Sequence, residues 1–238
     1  YSWRDFVGAM KVLAPKAAAD KVLFPKLFAG EYGAEISTLL TSKSQVLHTS
    51  FFDGDLESFV YQSGARGLAK RMTMIMTTGE AGMVRLRDKL PDGTIIGARG
   101  ANGPLAADNE ANRWFQKIYT DRYNTPPTYP SYQMAQSILG LKLAYEKAKK
   151  GDAKPTTDEI AAAFKGIEFT GPAGHVKMAL GDGHQGVTET AYGTYRFNKQ
   201  KNAPEIVDIV RFPADCVNPP PGIDAEKWIA EGMKGAKC

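Results

Sequence analysis

The stretch SFFDGDLESFVYQSGARGL, Ser50 to Leu68, places Asp53, Asp55 and Glu57 at alternate positions directly behind two phenylalanines. Carboxylates so spaced could open a calcium loop, which needs oxygen ligands to continue at alternate positions and to close on a glutamate. Counted from Asp53, the later ligand positions fall on Phe59, Tyr61 and Gly64, so the series fails after Glu57. A helix start is the chemistry that remains, with Asp53 or Asp55 capping free amides and the early acids facing the positive end of the helix dipole.

Other candidate chemistry is equally sparse. Thr77 and Glu80, in TTGE, have the spacing of a capping box. GARGANG is glycine-rich but lacks the GxGxxG spacing and a helix directly behind it, so it reads as a crossing segment. There is no GxxxxGK[ST], HExxH or GxSxG, and His48, His175 and His184 are too far apart in sequence to outline a metal site. No enzyme, metal site or cofactor is expected. Cys216 and Cys238 form no CxxC and fit either one disulfide or two free thiols. A disulfide closing that loop would contribute about 3 kcal/mol on a chain-entropy model.

The elements that position these residues belong to an ordinary globular chain. With 238 residues, 43% hydrophobic and 24% charged, it can bury one large core or two modest ones. Its net charge of +4 comes from scattered residues, so no nucleic-acid stripe is outlined. Apolar runs fall well short of the ~18 residues of a membrane span. No signal peptide is visible, and the opening YSWRDF, without Met, reads as the middle of an amphipathic helix, as in a fragment or a processed chain.

Trp3, Phe6, Val7, Met10 and Leu13 recur at helical spacing up to Pro15. Strands are predicted over 21–28, 45–52, 71–79 and 93–100. Between them lie helices over Gly33–Lys43, DLESFVYQSGARG and EAGMVRLRDKL. This alternation predicts a parallel sheet covered on both faces. Residues 107–149 read as two helices broken by NTPPTYPSY. The first puts Ala111, Trp114, Phe115, Ile118 and Tyr119 on one face, and the second is apolar around most of its circumference and must be covered on most sides. Thr156 and Glu159 start a third helix with a capping box. Mostly antiparallel strands follow, then PPPG and a last helix, DAEKWIAEGMKG.

In order, YSWRDFVGAMK, ISTLL, VLHTSFF, ESFVYQSGARGL, RMTMIMTTGE, the long SYQMAQSILGLKLAYEKA helix and GPAGHVKM resemble the periplasmic substrate-binding proteins of branched-chain amino acid ABC transporters. The resemblance covers nearly the whole chain. It implies an α/β, two-lobe type I periplasmic-binding-protein fold with doubly wound parallel sheets, the ligand closing between the lobes. Residues 1–100 and 188–238 would form the second lobe and 101–187 the returning part of the first, whose N-terminal half is missing from this chain. The implied function is extracytoplasmic capture of an amino acid or related small carboxylate for a membrane permease of an ABC importer. A ligand-sensing domain of a receptor or regulator with the same fold is the alternative. Expected partners are the ligand, the permease and the upstream segment as a separate chain.

The same resemblance proposes ligand-binding residues. Ligands of open α/β sheets sit beyond the carboxyl ends of the strands. There Ser50, Phe51 and Phe52 end one strand, and Thr78, Gly79 and Glu80 follow the next. Glu80 would meet a ligand ammonium, a role that competes with its place in the capping box. Phe51 and Phe52 would cover the ligand, although alternation lets only one of them leave the core. Tyr129, in the Pro-rich loop, is a further candidate; as an ordinary loop residue it needs no such role.

Overall fold

The computed structural model describes residues 2–17 and 21–238, with the side chains of Ser2 and Trp3 outside the description. The chain divides into two compact units, Tyr1–Arg99 with Tyr192–Val210 and Gly100–Ala191 with Arg211–Cys238.

The first unit carries helices α1 (Ser2–Leu13), α2 (Gly33–Thr41), α3 (Asp53–Ala65) and α4 (Met83–Leu86). Its sheet contains β1 (Val46–Thr49), β2 (Thr73–Met76), β3 (Ile95–Gly97), β7 (Thr190–Asn198) and β8 (Ala203–Phe212), in the order β1-β2-β3-β7-β8. β1, β2 and β3 pair in parallel, as the βαβ alternation requires, and β7 then adds antiparallel to β3. Leu56 and Val60 of α3 pack with Met74, Met76, Ile96 and Tyr195 of the sheet. On the other side of α3, Phe59 joins Tyr32, Ile36, Leu39, Leu68 and Met72. Helix α3 ends where Gly67 adopts φ 69°, a left-handed stop that glycine takes without strain.

Three expectations need correction in this unit. Residues 21–28 form no strand, and Phe24, Leu27 and Phe28 are exposed. Pro25 removes a ladder donor, and the Phe28 amide donates to Asp55 Oδ2 (3.0 Å) instead of to a neighbouring strand. Helix 80–90 is broken into a 3-10 turn at Gly79–Gly82, the short α4 and a second 3-10 turn at Arg87–Lys89. The break is held because Arg87 has φ 45°, its carbonyl accepts the Tyr195 hydroxyl (2.7 Å), and its guanidinium binds Asn202. The start of α3 is capped by neither Asp53 nor Asp55: the N-cap is Phe52, without a side-chain cap, and Asp55 is drawn inward.

The second unit contains α5 (Glu110–Tyr123), α6 (Tyr129–Ala148), α7 (Thr157–Ala163), α8 (Ala214–Val217) and α9 (Ala225–Ala230). Its three-stranded antiparallel sheet is β4 (Glu168–Gly171), β5 (Gly174–Leu180) and β6 (Gln185–Val187). The capping box of Thr156 and Glu159 forms at the start of α7. Ala144, Ala148, Ala163 and Ile167 make one small core, and Phe115, Tyr132 and Ala173 another. The predicted face of α5 is rotated: Asn112 and Phe115 are buried, whereas Trp114 is 59% exposed. On α6 the row Met134, Ile138 and Leu141 is at least half exposed, so the wide apolar circumference is covered on one side only.

Residues 188–238 were expected with residues 1–100, but of these 188–191 and 211–238 cluster with the second unit. Arg211 binds Glu189 Oε1 (2.8 Å) and the Ala106 carbonyl (3.2 Å), which ties the tail to that unit. Cys216 and Cys238 are joined by a disulfide that closes the tail on itself. Among the described residues no helix is long and apolar enough to cross a membrane.

Candidate functional site

The parallel register Val46↔Thr73 to Thr49↔Met76 brings β1 and β2 out of the sheet level with each other, so Ser50–Phe52 and Thr77–Glu80 leave it side by side. Two hydrogen bonds tie the two loops, and a third braces the first of them from within. The Thr77 amide donates to the Thr49 carbonyl (3.2 Å), the Phe51 amide to Thr49 Oγ1 (3.1 Å), and the Thr78 hydroxyl to the Phe51 carbonyl. The candidates of the first unit therefore form one patch, while Tyr129 belongs to the second unit, buried in the first turn of α6.

Within the patch the residues divide by environment. Ser50 is exposed, and Phe52 is 44% exposed. Phe51 is half-buried, with ring centroids 5.0 Å from Tyr32 and 5.4 Å from Phe59, so only one phenylalanine of the pair faces outward. Thr78 is fully buried. Gly79 is required by packing, because a Cβ there would lie 2.5 Å from Ile96 Cδ1 and 2.9 Å from Met76 Cβ. Glu80 is 3% exposed. The Thr77–Glu80 capping box does not form: the N-cap falls on Thr78, without a side-chain cap, and Thr77 Oγ1 lies 2.8 Å from His48 Nε2.

The carboxylates of DGDLE serve other ends. Asp55 accepts the Tyr32 hydroxyl (2.6 Å) and the Phe28 amide. Burial, and then the neighbouring Asp55, push the Tyr32 phenol up to about 12. Asp53 (3.1 Å) and Glu57 (2.5 Å) pair with Arg85 of α4, and the Glu57 hydrogen bond is the main reason the guanidinium is held above its usual range. These contacts fasten the start of α3 to its neighbours.

Sequence reasoning missed one group beside the patch. His48 and Thr77, both half-buried, are joined through their side chains, and the half-buried Tyr192 ring lies beside them, where a Cβ on Gly97 would stand 2.6 Å from Tyr192 Cε1 and 3.0 Å from the Thr77 carbonyl oxygen. The imidazole also stacks on Phe6 of α1, with centroids 4.0 Å apart. Strand alternation placed His48 opposite the buried Thr49, but nothing local announces a partner 29 residues away. At the opposite, N-terminal ends of the same strands lies a polar depression of about 330 Å³ lined by Gln45, Arg71, Thr73, Asp92 and Thr94 among others.

A sequence model of the family described as periplasmic binding protein matches residues 9–201. Among solved structures, the leucine-, isoleucine-, valine-, threonine- and alanine-binding protein of Brucella ovis superposes with TM-score 0.72 at 18% identity, over 93% of this chain and 58% of its own. A solute-binding protein of an R. palustris ABC transporter in complex with 4-hydroxybenzoate gives TM-score 0.70 at 16% identity, over 85% and 54%. An amino acid ABC transporter substrate-binding protein from Pseudomonas fluorescens Pf-5 gives 0.67 at 20%, over 87% and 56%. The chain thus spans little more than half the length of these proteins. No relative was found among the curated proteins. At such identities the superpositions show the fold, the type I periplasmic-binding-protein fold expected from the order of motifs.

Proposed function

The chain belongs to the periplasmic binding protein family, and on that premise we propose that it is part of an extracytoplasmic solute-binding protein of an ABC importer. Its ligand is an amino acid or a related small carboxylate, delivered to a membrane permease. The first unit is the second lobe of such a protein, and residues 100–191 are the returning part of the first. No bond is made or broken. Binding energy goes into favouring a closed state over an open one, which requires the ligand to contact the closed state differently.

The observation that carries the reading is the in-register exit of Ser50–Phe52 and Thr77–Glu80 from adjacent parallel strands at the end where open α/β sheets bind ligands. Phe52 offers an exposed aromatic wall and Ser50 an exposed hydroxyl, while Glu80 lies buried behind them. Both chemistries of the solved relatives, amino acids and benzoates, suit such a wall.

A thermal-shift series on the full-length protein tests this. A ligand present at 100 times its Kd stabilises by about 2.7 kcal/mol, a rise of several degrees in Tm. Leucine, valine, threonine, benzoate and 4-hydroxybenzoate are the first probes. A flat Tm across amino acids and aromatic acids alike would overturn the ligand class.

A further inference from the structure

In the first unit, KVLFPKLFAG, residues 21–30, turns large apolar side chains to solvent. Phe24, Leu27 and Phe28 are 68%, 70% and 80% exposed, and Val22 is exposed beside them. The segment is nevertheless held from behind. Leu23 packs on the cluster of Tyr32, Ile36 and Leu39, the Phe28 amide donates to the buried Asp55 (3.0 Å), and the Gly30 carbonyl accepts the Gln62 side-chain amide (2.7 Å). Leu27 and Phe28 form the tip of a turn that the Ala29 amide closes on the Lys26 carbonyl (3.2 Å). Phe28 stands there at φ 56°, in a place where turns select glycine or asparagine. A bulky residue in left-handed backbone needs something to hold it there, and a ring so exposed gains little from the interior. Folding alone therefore does not account for phenylalanine at position 28.

We propose that this turn is a docking surface for an anionic lipid bilayer, with Phe24, Leu27 and Phe28 entering the interface and Lys21 and Lys26 meeting the lipid phosphates. The surface uses none of the residues of the ligand patch, and the inference is independent of which ligand the protein takes.

Charge and backbone decide between occupants. No acid stands between Asp20 and Glu31 in the sequence, whereas Lys21 and Lys26 do, and both are exposed. The carboxylate that touches the turn, Asp55, is buried and accepts from the Tyr32 hydroxyl and the Phe28 amide. Apolar tips bracketed by lysines suit an interface in which acyl chains lie beneath anionic headgroups. A strand of another protein suits the segment less well, because Pro25 has no amide to give a ladder and the Phe28 amide is already taken. Lipid requires no such pairing. It needs only apolar side chains at a tip and positive charge around them.

Co-sedimentation of the full-length protein with mixed phosphatidylglycerol–phosphatidylcholine vesicles, and with pure phosphatidylcholine vesicles, tests this. Binding is expected on the anionic vesicles and should weaken as salt is added. Lys21→Gln and Lys26→Gln should each weaken it about fivefold. Phe24→Ser and Leu27→Ser should each weaken it about tenfold or more. Phe28→Gly separates docking from folding, because glycine takes left-handed backbone without strain. Its Tm should hold or rise while vesicle binding falls about tenfold or more. A fall of several degrees in the Tm of Phe28→Gly would show the ring to be packed within the complete protein, and overturns the lipid surface. So does absence of binding to anionic vesicles, or equal binding by the parent protein and Phe28→Gly. A concentration-dependent dimer that Phe28→Gly abolishes also overturns it, and assigns the turn to a second copy. None of these outcomes alters the thermal-shift test of ligand binding, which is read without vesicles.

Discussion

The Asp55 carboxylate accepts the Tyr32 hydroxyl at 2.6 Å, and both side chains are buried. A helix-start acid has thus become a long-range anchor that holds the segment before α2 against the first turn of α3. Tyr32→Phe would leave a buried carboxylate with the Phe28 amide as its remaining hydrogen-bond donor among the described residues. Loss of about 2 kcal/mol of stability is expected, since an acceptor left short of partners costs more than the bond itself. Urea denaturation of the two proteins measures it, and a loss below about half a kcal/mol would show the pair to be incidental.

Alkaline pH should expose the same anchor. The phenols of Tyr32 and Tyr195 are both pushed up to about 12, chiefly by burial. A folded-state pKa above the unfolded value near 10 means that the stabilisation is fully present below pH 10 and is lost as pH rises toward 12. Tm should hold to about pH 10 and then fall, in step with the ultraviolet signal of tyrosinate. In Tyr32→Phe the alkaline fall should be shallower. An unchanged alkaline limb in that variant would mean that the buried phenol does not titrate with unfolding.

The tail offers a redox prediction. Cys216 and Cys238 close a loop of 22 residues in sequence separation, inside which the Trp228 indole donates to the Lys234 carbonyl (2.9 Å). Reduction should cost the second unit about 3 kcal/mol on the chain-entropy model. The tail should then become the first site of limited proteolysis. Cleavage at equal rates in oxidised and reduced protein would show that the Arg211 contacts hold the tail without the disulfide.

Much of the architecture was legible because its signals are local. Helix α3 stops just before Gly67, the second of the two glycines, Gly64 and Gly67, that its sequence offers as a stop, and α7 begins on its capping box. What could not be read depended on partners distant in sequence. The same spacing that formed a box at Thr156 failed at Thr77, whose hydroxyl meets His48 from another strand. KVLFPKLF has the composition of a strand, yet composition cannot supply the neighbour that a ladder needs. The site was legible as a pair of strand ends, because alternation of strands and helices locates such ends. Which side chains there face outward was not, because Gly79 and Phe51 are claimed by Ile96, Tyr32 and Phe59 from elsewhere in the fold.

That difference makes the two phenylalanines the sharpest test of the proposed patch. Phe51 packs its ring among Tyr32 and Phe59, whereas Phe52 is 44% exposed. Phe51→Ala should therefore cost about 2–3 kcal/mol, below the ~3–5 kcal/mol of a fully buried aromatic because the ring is only half-buried. Phe52→Ala should cost less than about 1 kcal/mol, as surface truncations do. The functional ranking runs the other way. Once each variant is compared with its own ligand-free Tm, Phe52→Ala should lose most of the ligand-induced rise and Phe51→Ala should keep it. If Phe52→Ala keeps the full rise for a ligand that stabilises the parent protein, the aromatic wall is elsewhere and the patch does not face the ligand.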